Sequence, residues 1–257
     1  MLFDSHCHLN DEAIYPRIEE VIEEAKKTGV TKFLVVGYDR ASSELAVKIA
    51  SKYEECYAAI GYHPTEIFNM SEDDFNKTLA LYKKPKVVAI GEIGLDYHWV
   101  KESDKRELQK EYFIKQIEFA NEVGLPISIH NRESNEDCLN VLKEHRPIHG
   151  GVMHCYSGSV EMLKTVLDLG LHISLGGPVT FTNAKTPKEV AEVVPLEKLL
   201  VETDCPYLTP HPHRGEKNEP KYICLVVEEI ARLKDISKKH VEQVTYSNTC
   251  RLFKIDE

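Results

Sequence analysis

A single-domain (β/α)8 barrel, an α/β fold closed by a helix at its C-terminus, is the architecture this sequence predicts, and three observations predict it. Short apolar, β-rich runs alternate with amphipathic helical segments from one end of the chain to the other. The length of 257 residues matches one barrel, which typically takes ~250. Several of the runs end on histidine, glutamate or aspartate, at the end of the strand where a barrel collects its functional loops.

Eight strands are read along the chain. They lie at Leu2–His8, Lys32–Tyr38, Cys56–His63, Val87–Leu95, Pro126–His130, Gly151–Tyr156, Leu171–Leu175 and Leu199–Asp204. Between them, apolar residues recur at helical spacing over Ile18–Lys27, Ser42–Tyr53, Lys105–Val123, Asn135–Glu144, Val160–Leu169 and Glu189–Val193. Gly29, Gly124 and Gly170 stand where helices should stop. The irregular stretch Pro206–Pro220 is too long for an ordinary connector and follows the last strand, where barrels often bind phosphate. The segment Val241–Phe253 reads as the closing helix. An open doubly wound sheet would suit the same alternation, but the chain has no Gly-rich dinucleotide turn. No linker or low-complexity tract divides it, so one domain spanning residues 1–257 is expected.

No stretch is long and apolar enough to span a bilayer, and Asp4 with the histidines interrupts any signal-like start, so a cytoplasmic protein is expected. Seven cysteines without C-x-x-C spacing read as reduced thiols. Cys7, Cys155 and Cys205 adjoin candidate ligands, but alternation turns a strand neighbour to the opposite face, so they read as packing residues. A net charge of −10 argues against a general duplex-DNA binder. It leaves nucleic acid open as a substrate, because bound cations would dominate the local field.

His6 and His8, two apart on a strand, project the same way as paired metal ligands must. Glu92, His130, His154 and Asp204 each sit in or at the end of a later apolar run. Barrel geometry brings all six to one mouth. Imidazoles and carboxylates suit zinc, manganese and related divalent ions. Six donors exceed the needs of one four-coordinate ion, whereas two ions sharing a bridging carboxylate would use them all. Arg132, two residues past His130, should share its inward direction and clamp a phosphate, unless it pairs with Glu133 or another carboxylate of the mouth. His63 ends the third strand and is read as a substrate contact, as a residue standing just behind the metal ligands, or as a satisfied structural histidine. Trp99, the only tryptophan, could stack on a splayed base or fold onto a helix. Arg214 and Lys217, after the last strand, are candidate backbone contacts. Asp4 and Glu202 are expected to share the inward faces of His6 and Asp204 one layer deeper, as buried hydrogen-bond partners, and Asp96 to orient the loop presenting Glu92.

The motifs LFDSHCHLN, GYHPTE, GEIGLDY, PISIHNRE, MHCYSG, SLGGPVTF, LLVETDCPYL and PHPHRGEKNEP follow one another along nearly the whole chain. With them the sequence resembles the TatD-type metal-dependent deoxyribonucleases, within the amidohydrolase-like barrels. The resemblance implies that His6, His8 and Asp204 hold one ion, His130 and His154 a second, and Glu92 bridges them. It also implies 3′–5′ exonuclease-type cleavage of DNA, single-stranded or at 3′ ends, with a divalent metal, often magnesium; the donors themselves leave magnesium, manganese or zinc open. Ser134 and Glu216 depart from the usual pattern, the latter in a loop that is often more basic.

Two metals roughly 3.5–4 Å apart can activate water, shield a phosphate and stabilise a leaving alkoxide, and Asp204 is placed to accept the water's proton. Glu92 stands on the fourth strand, where many small-molecule amidohydrolases carry a carbamylated lysine. The alternatives are a binuclear hydrolase of a lactone, cyclic amide or phosphotriester, and a catalytically silent metal-binding scaffold. The basic and aromatic residues of the mouth suit a phosphate chain better than a neutral ring. No ligand is missing, as a silent scaffold would allow. No obligatory protein partner is expected.

Overall fold

The computed structural model describes all 257 residues. Eight parallel strands follow one another around a nearly closed barrel in chain order: β1 (Leu2–Cys7), β2 (Val30–Val36), β3 (Cys56–Ile60), β4 (Val87–Asp96), β5 (Ile127–Arg132), β6 (Gly151–Met153), β7 (His172–Leu175) and β8 (Leu199–Val201). The seam between first and last strands is stitched beyond the end of β8, where Asp204 N donates to His6 O and His8 N donates to Cys205 O. Helices fill the seven crossovers: α1 (Ile18–Lys27), α2 (Arg40–Lys52), α3 (Glu72–Leu79), α4 (Ser103–Val123), α5 (Asn135–Glu144), α6 (Val160–Asp168) and α7 (Thr186–Val193); α8 (Ile223–Lys234) and α9 (Lys238–Phe253) follow the last strand. No helix is long and apolar enough to cross a membrane.

Local chemistry explains the boundaries. Asp39 caps α2 in a reciprocal box with Ser42, and Ser71, Ser159 and Ser237 accept from the first turns of α3, α6 and α9. Gly124 ends α4 at φ 78°. Two packed layers follow from strand alternation. Val35, Ile90, Ile129 and Ile173 face the helices, and Leu34, Ala59, Ala89, Val152 and Leu200 form a second cluster closed by Tyr246, Leu252 and Phe253 of α9.

Several expected boundaries need correction. The third, sixth and eighth strands stop earlier than read, at Ile60, Met153 and Val201, so His63, His154 and Asp204 lie in the loops just beyond them. Short runs still deliver them to the mouth, but strict alternation does not orient them; Asp204 has φ 55°, a region that aspartate tolerates better than most residues. In β1 the alternation also fails. Asp4 lies opposite Phe33 and Cys7 opposite Val35, so three steps on one strand match two on the other. This irregularity separates the facing of Asp4 from that of His6, and the buried Asp4 carboxylate instead takes the backbone N–H and hydroxyl of Thr203. Helices α3 and α8 belong to the fold although neither is among the helical segments read above.

Candidate metal centre

The six residues meet above the barrel interior, with Glu92 in the middle. Glu92 Oε2 lies 3.6 Å from His6 Nε2 and 3.8 Å from His8 Nε2. Its other oxygen, Oε1, lies 2.8 Å from His130 Nδ1 and 2.8 Å from His154 Nε2. Asp204 Oδ1 faces only the first pair, 3.8 Å from His6 and 3.4 Å from His8. One carboxylate thus separates two pockets of nitrogen donors, and a second carboxylate serves one of them.

Backbone packing makes this possible at one residue in particular. Gly94 has φ 148°, and a Cβ there would collide with the carbonyl oxygen of His130. Glycine lets β4 close onto β5, which brings Glu92 and His130 together.

The electrostatics are those of a buried cup in which carboxylates and imidazoles face one another. Burial works against ionisation of Glu92 and Asp204, yet the surrounding imidazoles outweigh it and hold both below the usual carboxylate range. Burial also works against protonated rings. It prevails at His6, helped by His154, and at His63, which burial and His130 push down to about 3. At His8, His130 and His154 the adjacent carboxylates prevail over burial and draw protons onto the rings. A cup that pulls protons onto three imidazoles would take a divalent cation in their place.

The remaining candidates are distributed unevenly. His63 Nε2 lies 3.7 Å from Glu92 Oε1, and its ring meets His130 edge-on at 4.3 Å. Together with Glu92 and His130 it forms a donor group compact enough to hold a cation. Arg132 ends β5, exposed and without a carboxylate partner, its guanidinium 5.7 Å from the centre of the Trp99 ring. The alternative pairing with Glu133 does not form, because Glu133 binds His98 and Lys101. Trp99 is 68 % exposed and does not fold onto a helix. Arg214 is tethered, 3.9 Å over Phe181 and bonded to Thr209 O, while Lys217 is exposed. The seven cysteines are free thiols.

Two features escape a reading of the sequence. Asp96 Oδ2 lies 3.0 Å from His130 Nε2, so it touches a candidate ligand directly. Tyr207 is 55 % exposed with its ring 6.2 Å from His8. Its place three residues after Asp204 was the available signal.

The profile of the family described as TatD related DNase matches residues 3–254. The chain belongs to that family. Among its relatives, a protein of Bacillus subtilis named as the uncharacterized metal-dependent hydrolase YabD is 48% identical over 257 residues, covering 100% of both chains. The Escherichia coli protein YcfH, named in the same terms, is 36% identical over 260 residues, covering 99% of this chain and 96% of its own. The crystal structure of YjjV, a TatD homologue from Escherichia coli, superposes with a TM-score of 0.93 at 29% identity, covering 99% and 98% of the two chains. This TatD-family chain therefore carries the family fold over its full described length.

Proposed function

We propose that this chain is a divalent-metal-dependent phosphodiester hydrolase that removes nucleotides from the 3′ end of DNA. The observation that carries the proposal is the two-sided Glu92, with Oε2 turned to His6 and His8 and Oε1 to His130 and His154. On this reading His6, His8 and Asp204 would hold one cation, His130 and His154 another, and Glu92 would serve both; magnesium, manganese or zinc fit such donors. When bound, the pair of cations supplies a water of lowered pKa and shields phosphate charge.

The chain's own side chains do the rest. Asp204 is ionised at neutral pH and keeps Oδ2 free of protein hydrogen bonds, so it accepts the attacking water's proton there. Arg132 offers its planar fork to the phosphate next to the reacting one. Trp99, beside Arg132, stacks on an unpaired terminal base. Lys217 and Arg214 follow the phosphates outward. The family's description as a DNase and the relatives' naming as metal-dependent hydrolases support the same class.

The test is digestion of end-labelled single-stranded, duplex and circular DNA by metal-depleted and metal-restored protein. Mononucleotides released from linear strands, only with metal, are the expected result. Cleaved circles would replace exonuclease with endonuclease action. Inert DNA together with turnover of a phosphotriester or lactone would overturn the nuclease reading in favour of a small-molecule hydrolase.

A further inference from the structure

Of the five histidines around Glu92, His63 rests its Nδ1 on the Thr65 hydroxyl, and each of the four assigned to the cations has one nitrogen turned inward and the other against a backing group that differs by side. His6 Nδ1 lies 3.3 Å from Ser128 Oγ, and His8 Nδ1 lies 3.0 Å from the carbonyl oxygen of Val36. These are neutral partners. On the other side the partners are carboxylates. His130 Nε2 hydrogen-bonds Asp96 Oδ2 at 3.0 Å. His154 Nδ1 faces Glu202 Oε1 at 3.4 Å, both atoms of this second pair being buried and otherwise without a hydrogen-bond partner. Asp96 is 1% exposed and Glu202 is fully buried. Both are fixed from behind: Asp96 Oδ1 accepts the backbone N–H of Trp99 at 2.9 Å, and Glu202 Oε2 takes the hydroxyl of Ser174.

A carboxylate beneath an imidazole accepts its N–H, sets the tautomer and raises the basicity of the opposite nitrogen. The His6–His8 side has Asp204 as a direct negative donor, whereas the His130–His154 side has only the shared Glu92. Resting on the two-cation reading above, we propose that Asp96 and Glu202 are positioning residues that supply the missing negative charge indirectly. They fix His130 to donate through Nδ1 and His154 through Nε2. Asp96 has a second duty. By holding the ligand ring and the Trp99 backbone with its two oxygens, it couples cation occupancy to the aromatic rim of the mouth.

Zinc titration of metal-depleted protein, followed by calorimetry and by the emission of the single tryptophan, tests the assignment. Wild type should bind two equivalents and change its Trp99 emission. In Asp96→Asn and Glu202→Gln one equivalent should weaken by about 10–100-fold while the other is unchanged. Asp96→Asn should also lose the emission change, and Glu202→Gln should keep it at higher zinc. Ser128→Ala, on the opposite side, should leave the His130–His154 equivalent untouched. Wild-type affinity at both equivalents in the two carboxylate variants would overturn the proposal. A wild type binding a single equivalent would contradict the two-cation reading; the backing roles then stand or fall on whether that equivalent weakens. Should the variants not fold, imidazole nitrogen spectra of zinc-loaded wild type decide. They should show His130 alone bound through Nδ1. Zinc on His130 Nε2, or on His154 Nδ1 with Glu202 as a direct donor, would overturn it.

Discussion

Asp204 and Arg132 divide the proposed chemistry between a proton acceptor and a phosphate grip. Replacing Asp204 with Asn removes the acceptor and one anionic donor while keeping the shape. Turnover should fall about 10²–10⁴-fold, with the thermal transition of the metal-free protein close to wild type. Near-normal turnover would mean that another group takes the proton. Arg132→Lys keeps the charge but loses the planar fork, so it should not behave as a conservative change. Activity on DNA should drop with metal content unchanged. A nitrophenyl phosphodiester, lacking neighbouring phosphates, should be spared if the arginine grips a flanking phosphate. If neither substrate responds, Arg132 has no part in binding. At this scale the donors were readable because imidazoles and carboxylates at the ends of apolar runs have few other reasons to be there. Their backing was not readable. Which ring nitrogen faces Asp96 or Glu202 depends on side-chain rotation and on strands far apart in sequence.

Among the elements, β4 and β5 carry the tightest constraint. Gly94→Ala would drive a methyl group into the His130 carbonyl at a φ that side chains rarely adopt. The cost should exceed about 2 kcal/mol, visible as a lower urea midpoint, and zinc affinity should fall with it because Glu92 and His130 separate. An unchanged midpoint would show that the strands can part freely. At the start of β7, burial and the nearby charge of Lys198 push His172 down to about 4. Its folded value lies below the ordinary one, so the unfolded chain takes the proton first as pH falls. Stability from this group is complete above pH 6.5 and declines toward pH 4, by at most about 3 kcal/mol. His172→Gln should flatten that part of the pH–stability curve measured by urea unfolding; an identical acid slope would clear His172 of the effect. Periodicity located most elements. It overran strands three, six and eight because their sequences run on without a proline past the point where the ladder ends, and the register shift within β1 leaves no mark in composition. The α8 pattern of Ile223, Val226, Val227 and Ile230 was there to be read, as was the Ser71 cap of α3.

For the molecule as a whole, a net charge of −10 and a DNA substrate are compatible only if the attraction is local. The cup around Glu92 is where cations would reverse the sign, and the proposed contacts of Arg132, Arg214 and Lys217 would extend that reversal outward. The barrel explains why residues from 6 to 204 could be assigned to one place from sequence: consecutive parallel strands leave their C-terminal ends on the same rim. That rule says nothing of how many cations gather there. The central claim is that two of them share Glu92, and anomalous diffraction from crystals soaked in excess manganese tests it most directly. Two peaks are expected, one among His6, His8 and Asp204 and one between His130 and His154, with a Glu92 oxygen on each. A single peak at saturation, or a Glu92 bound to one ion alone, would contradict the account.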